Sequence, residues 1–153
     1  HDEMTGLYNR RYFENELDRL SSSRRLPITL LVADMDNLKV VNDNYGHKMG
    51  DHYIKAAAEI LKKSSREEDI VARIGGDEFA IILPETAFEA ADKIYQRIKS
   101  NIREYNQQQD LVVRLDISLG FAVRTKETQN LDRIFKKADK MMYNNKGKRI
   151  YSD

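Results

Sequence analysis

The chain has no cysteine, no tryptophan, and only two prolines and seven glycines in 153 residues. Without cysteine there is no disulfide framework, no thiolate metal centre and no cysteine nucleophile. The redox compartment stays open, and a cytosolic, cytoplasmic chain fits. A dominant charge is missing too: 26 Lys+Arg against 25 Asp+Glu leave a net charge of +1. That balance lacks the broad positive field that draws proteins onto nucleic-acid phosphates, so no nucleic-acid polymer is expected as a partner. Long apolar runs are absent. The longest, such as residues 28–33, are strand-sized and far below the roughly 18 to 20 residues that span a bilayer, and no signal peptide is visible, so no membrane contact is expected from this segment. What the chain does have is 41% hydrophobic residues, enough for one core of ordinary size and one domain over residues 1–153.

Periodicity gives the element order. Tyr12, Phe13, Glu16, Leu17 and Leu20 repeat at helical spacing over 9–20, and the polar run 21–25 ends that helix. Pro27 precedes a continuous aliphatic run over 28–36, the pattern of a buried central strand whose end turns acidic. Residues 40–46 carry turn formers, and Ile54, Ala57, Ala58 and Leu61 restore the helical period over 47–63. Two apolar runs, 69–74 and 79–83, flank Gly75-Gly76-Asp77-Glu78, the composition of a β-hairpin with a four-residue turn. Thr86 and Glu89 suggest a capping box opening a helix to about residue 105 that buries Phe88, Ala91, Ile94, Tyr95 and Ile98. Residues 111–123 alternate Val113, Leu115, Ile117 and Leu119 with Arg114, Asp116 and Ser118, a strand with one wetter face. A last helix covers 131–145. The order predicts an α+β fold, an α/β sandwich with a ferredoxin-like βαββαβ core and a mostly antiparallel sheet flanked by helices.

Asp34 and Asp36 at the end of the first strand, and Asp77 and Glu78 in the hairpin turn, are four acids that this fold could bring together. Hard divalent cations such as Mg²⁺ take oxygen ligands and commonly use one or two carboxylates plus substrate phosphates, so the pattern suits a metal–phosphate site. Gly75 and Gly76 read as turn glycines supplying positive φ, or as a turn bare enough for a phosphate or flat ligand to reach the backbone.

The segment Arg73-Ile74-Gly75-Gly76-Asp77-Glu78-Phe79 contains Gly-Gly-Asp-Glu-Phe and resembles the signature of the GGDEF domains, the diguanylate cyclase family. The opening Asp2-Glu3-Met4-Thr5-Gly6-Leu7-Tyr8-Asn9-Arg10-Arg11, the long stretch from Asp34 to Asp51, and Ala138-Asp139-Lys140-Met141-Met142-Tyr143 resemble that family's other motifs. They follow in its order and spacing over residues 2 to 149. The resemblance implies a domain excised from a longer signalling protein, one that could be membrane-anchored as a whole, on a fold similar to nucleotidyl cyclases and the polymerase palm.

It further implies condensation of two GTP into cyclic di-GMP and two pyrophosphates, with two Mg²⁺ (or Mn²⁺) per active site held by Asp34, the carbonyl of Met35, Asp77 and Glu78. Asp77, Glu78 and Lys39 would be catalytic. Asn42, Asp51, His47, Gly75, Gly76, Lys146 and Arg149 would bind substrate, with Lys148 an alternative to Arg149 because the ending is one residue shorter than the family's. Asp36 is left between a metal ligand and a structural acid. An Asp carboxylate accepts from the N1–H and N2–H edge of guanine, which adenine does not offer. Arg66 and Asp69, with Arg97 as an additional arginine, match the family's product-inhibition site, on the order of 20 to 30 Å along the strand from the Gly-Gly turn. Ring closure needs two GTP sites facing each other, so the competent species would be a homodimer, while the chain alone, lacking a heptad seam, would be mostly monomeric. The competing reading is a silent receptor for GTP or cyclic di-GMP, which a degenerate signature would mark; here the signature is intact.

Overall fold

The computed structural model describes residues 1–111 and 113–146; Lys148 and Arg149 lie outside the described residues. The elements follow as α1 (Arg10–Ser21), β1 (Ile28–Met35), α2 (Leu38–Tyr45), α3 (His47–Ser64), β2 (Ile70–Arg73), β3 (Glu78–Leu83), α4 (Phe88–Gln108), β4 (Ile117–Arg124) and α5 (Leu131–Asn145).

β1 is aliphatic on both sides because both of its sides are covered. Leu31, Ala33 and Met35 share a cluster with Ile54, Ala57 and Leu61 of α3 and Ile94 and Ile98 of α4. Ile28 and Leu30 meet Phe13, Leu17 and Leu20 of α1 and Leu131 and Ile134 of α5, and Val32 meets Ala138 and Met142. Full burial of each such Leu or Ile is worth about 1.5–3 kcal/mol. The sheet runs β2-β3-β1-β4 with each ladder antiparallel. This is the expected βαββαβ core, with α2–α3 and α4 as its crossovers on one face and α1 and α5 on the other. Gly120 lets α5 approach the sheet: a Cβ there would overlap the carbonyl of Ala138 and the amide of Met142. Among the described residues no helix is long and apolar enough to cross a membrane.

Several local expectations are corrected. The turn-forming stretch 40–46 is mostly helical, because Leu38 and Val41 bury one face of α2 and packing overrides the weak propensity of Asn42, Asp43 and Asn44. Phe88 is 62% exposed, its ring tilted against Phe121 at 5.3 Å. Thr86 is not the cap of α4, whose N-cap is Ala87; its hydroxyl donates to Pro84 O at 2.8 Å and accepts from Arg66. β4 begins at Ile117 rather than near 111, and of the three residues expected on its wetter face Asp116 and Ser118 are buried while Arg114, ahead of the strand, is exposed. At its far end Arg124 is 2% exposed. It donates to the carbonyls of Leu20 (3.1 Å) and Ser21 (3.0 Å) at the end of α1, and to those of Glu127 (2.9 Å) and Gln129 (2.8 Å). A helix C-terminus carries unpaired carbonyls and partial negative charge, and Arg124 answers both.

Candidate active site

Strand register assembles the acidic edge. Asp34 stands opposite Glu78 on β3 and opposite Ser118 on β4. The next residue, Met35, donates its N–H to the Asp77 carbonyl at 2.9 Å, which ties the hairpin turn to the end of β1. Asp34 and Asp77 are half-buried and Glu78 is exposed.

The turn is held from two sides. Arg73 donates from Nε and Nη2 to Gly76 O (3.2 and 2.8 Å) and from Nη1 to both oxygens of Asp2 (3.3 Å each). Arg10 of α1 reaches Ile74 O at 3.1 Å. Asp2 also accepts from the N–H and hydroxyl of Thr5 at 2.9 and 2.7 Å. Burial opposes its charge, but these hydrogen bonds and the Arg73 ion pair win and hold its carboxyl below the ordinary range. Neither Gly75 nor Gly76 has a positive φ, so the expectation of left-handed turn glycines is corrected. Gly76 instead leaves open space around its Cα, which suits a backbone that a ligand approaches.

Asp36 is engaged on both oxygens. Ser118 Oγ lies 2.9 and 2.8 Å from them, and Lys146 Nζ lies 3.0 Å from Oδ1. Both oxygens of Asp36 are thus occupied by protein groups, unlike Asp34 Oδ1. The same Nζ lies 3.0 Å from Asp34 Oδ2, so the lysine expected to face phosphate bridges two carboxylates here. Burial raises the Asp34 carboxyl above its ordinary value; the Lys146 hydrogen bond opposes that, and the charges of Asp77 and Glu78 add to it. Burial also works against the Lys146 ammonium, but its bonds to Asp36 and Asp34 prevail and raise its pKa.

The other oxygen of Asp34, Oδ1, is buried without a hydrogen-bond partner. Buried polar atoms are almost always paired, so an orphaned carboxylate oxygen at an acidic edge fits an inner ligand of a hard cation. Among the described residues no three His, Asp or Glu side chains are gathered as a ready metal cage. The donors therefore suit a cation that completes its shell with a main-chain carbonyl and substrate oxygens.

Beside this edge α2 and α3 form a tight corner through Gly46, whose φ of 91° turns the chain. Asn42 lies on α2 and Asp51 on α3, both half-buried, and the Asn42 side-chain oxygen is buried and unpartnered. Gly50 allows this, since a Cβ there would overlap that oxygen. Lys39 lies in the first turn of α2 and His47 opens α3, both exposed.

Arg66 and Asp69 lie before β2, away from the turn. Asp69 is 2% exposed and accepts from Arg66 N–H (2.7 Å), Nε (3.3 Å) and Nη2 (3.0 Å). It is closed to solvent and anchors Arg66, so of the pair expected to bind product only Arg66 presents polar atoms to solvent. Arg66, 38% exposed at its side chain, borders a cleft of about 890 Å³ with Tyr8, Tyr12 and Arg19 among its walls. Arg97 is tied to Ser64 O at 3.0 Å, near the start of that segment. Sequence reasoning missed the roles of Arg73, Arg10 and Ser118. Arginine ahead of a glycine turn was the one signal available.

An antiparallel βαββαβ sheet with an acidic edge over a glycine turn is the palm-like fold of nucleotidyl cyclases. Residues 1–150 match the family model described as diguanylate cyclase, GGDEF domain, and the chain belongs to the GGDEF family. It is 34% identical, over 93% of its length, to the probable diguanylate cyclase DgcT of Escherichia coli, covering 32% of that protein. It is 35% identical to the diguanylate cyclase DgcS of Shewanella oneidensis, covering 93% of this chain and 48% of that one. The GGDEF domain of DgcB from Caulobacter crescentus, solved in complex with c-di-GMP, superposes with a TM-score of 0.87 at 30% identity, over 97% of this chain and 91% of that one. The chain thus spans a third to a half of the curated relatives named here.

Proposed function

We propose that this chain is a diguanylate cyclase domain that joins two GTP into cyclic di-GMP. In each half-reaction the 3′-hydroxyl oxygen of one ribose bonds to the α-phosphorus of the other GTP, the bond to the β-phosphate bridge breaks, and pyrophosphate leaves with its electron pair. The carrying observation is the pairing of Asp34 with Glu78 across β1 and β3, with an unpartnered Asp34 oxygen at that edge.

Asp34, the Met35 carbonyl, Asp77 and Glu78 would hold two divalent cations, Mg²⁺ or Mn²⁺. When bound, these supply positive charge against the triphosphate and its leaving group. Asp77 takes up the proton of the attacking hydroxyl. Asn42 and Asp51 read guanine; Lys39, His47 and Lys146, with Arg149, neutralise phosphate oxygens; and the bare Gly75-Gly76 backbone lets the triphosphate lie close. Two domains meet with their GTP face to face as a homodimer. Cyclic di-GMP binds at Arg66, with Arg97 nearby, and inhibits from a distance as a coupling between distinct sites. The test is incubation of the purified chain with GTP and Mg²⁺: cyclic di-GMP detected by mass supports the reading, and unconsumed GTP at high protein concentration contradicts it.

A further inference from the structure

We infer that Lys146 and a divalent cation compete for Asp34, so that loading the site exchanges a side-chain ammonium for the metal. This rests on the reading of Asp34 as a cation ligand. The ammonium lies 3.0 Å from Asp34 Oδ2 and 3.0 Å from Asp36 Oδ1. Those carboxylates are 16% and 7% exposed. Two poorly solvated carboxylates two residues apart repel one another unless a cation lies between them, and the lysine supplies it. A metal ion on Asp34 Oδ1 would share one carboxylate with the ammonium on Oδ2, and the repulsion between the two cations weakens the hold of each.

What can move is the side chain. The chain leading into Lys146 is tied down: its N–H bonds Tyr143 O at 3.0 Å, and the preceding Asn145 donates to Leu119 O at 3.0 Å and Tyr95 Oη at 3.2 Å. A four-carbon stem can swing its ammonium from the carboxylates to the triphosphate that arrives with the metal. Asp36 stays behind, its carboxylate sharing the one Ser118 hydroxyl proton; it is a positioning residue that gives the ammonium its resting place. Metal alone then binds weakly, and metal with nucleotide binds well, because only the nucleotide gives the displaced ammonium a new anion.

The test is Mn²⁺ binding without nucleotide, read from the free-ion electron paramagnetic resonance signal. Lys146→Met should bind roughly two- to fivefold tighter than wild type, the range expected when a partly exposed ion pair is removed. Lys140→Met, which removes a charge elsewhere on α5, should change affinity less than twofold, roughly the limit of a screened surface charge. Affinity for Lys146→Met equal to or weaker than wild type, with Asp34→Asn still abolishing binding, overturns the competition and leaves the metal site standing. Mn²⁺ binding that Asp34→Asn does not alter, with or without a non-hydrolysable GTP analogue, overturns both. In the unmutated protein, the ¹H–¹⁵N resonance of the Lys146 ammonium should shift on Mg²⁺ addition; a resonance unchanged at saturation also overturns the exchange.

Discussion

The Asn42 side-chain oxygen lies where a Cβ on Gly50 would have to go, so the α2–α3 corner is built around one missing methyl group. Alanine is better than glycine in a helix by about 1 kcal/mol, so Gly50→Ala should leave the fold as stable or slightly more so. The same substitution should push the Asn42 amide off its place and raise the KM for GTP by roughly 5- to 100-fold, the value of one lost paired contact. Asp51→Ala should erode the preference for GTP over ATP. Steady-state kinetics with both nucleotides check this; an unchanged KM in Gly50→Ala would separate Asn42 from substrate binding.

Asp34 should weaken the fold that carries it. Its carboxyl is raised above the ordinary 3.8, first by burial and further by Asp77 and Glu78, although Lys146 pulls the other way. A folded pKa above the unfolded one means the folded state binds the proton more tightly. Stability from this group therefore falls as pH rises through that interval and stays lower at neutral pH. Without metal, Asp34→Asn should be at least as stable as wild type at pH 7, with a flatter stability profile on the acid side. Urea unfolding checks this; a loss above about 2 kcal/mol would make Asp34 a structural acid.

Arg124 is a structural residue. Arg124→Met leaves carbonyls of Leu20, Ser21, Glu127 and Gln129 without their donor, and should cost about 2–4 kcal/mol. Urea unfolding should show it, with turnover per folded molecule unchanged.

Arg66→Ala should weaken cyclic di-GMP binding and relieve inhibition while basal activity survives, because Arg66 lies away from the Gly-Gly turn and only its partner Asp69 is buried. Titration calorimetry with unchanged affinity would return Arg66–Asp69 to a local ion pair. Asp69→Asn should behave like a milder Arg66→Ala, since it loosens the anchor rather than the contact.

The frame of the molecule was readable because each sheet strand alternates against helices on both sides: Ile28, Leu30 and Val32 one way, Leu31, Ala33 and Met35 the other. The acids were readable too, since Asp34, Asp77 and Glu78 fall at strand ends that the βαββαβ order brings together. The failures share a cause, which is that tertiary packing outweighed local signals. α2 is helical despite its Asn and Asp residues because Leu38 and Val41 need a partner. Thr86 caps nothing because Arg66 claims its hydroxyl. Burial of Arg124 depends on carbonyls from α1, over a hundred residues away in the chain, and no local pattern records that. Lys146 bridging Asp34 and Asp36 is of the same kind.

If two domains must face each other, specific activity should rise with protein concentration, and fusion to a dimeric coiled coil should raise it at low concentration. Activity per molecule that stays flat over about a hundredfold dilution, in a range where sedimentation shows the chain to be monomeric, would contradict the facing-domain requirement.

The most direct measurement is cyclic di-GMP formed from GTP and Mg²⁺ by the wild-type chain and by Asp77→Asn and Glu78→Gln at matched, high concentration. An amide is nearly isosteric with the carboxylate it replaces and the hairpin turn tolerates it, so all three proteins should fold alike. The wild type should release one cyclic di-GMP for every two GTP consumed, and both variants should fall at least about a hundredfold, the scale of lost charge stabilisation in a transition state. Turnover in the two variants close to that of the wild type would contradict the acidic edge as the centre of the reaction.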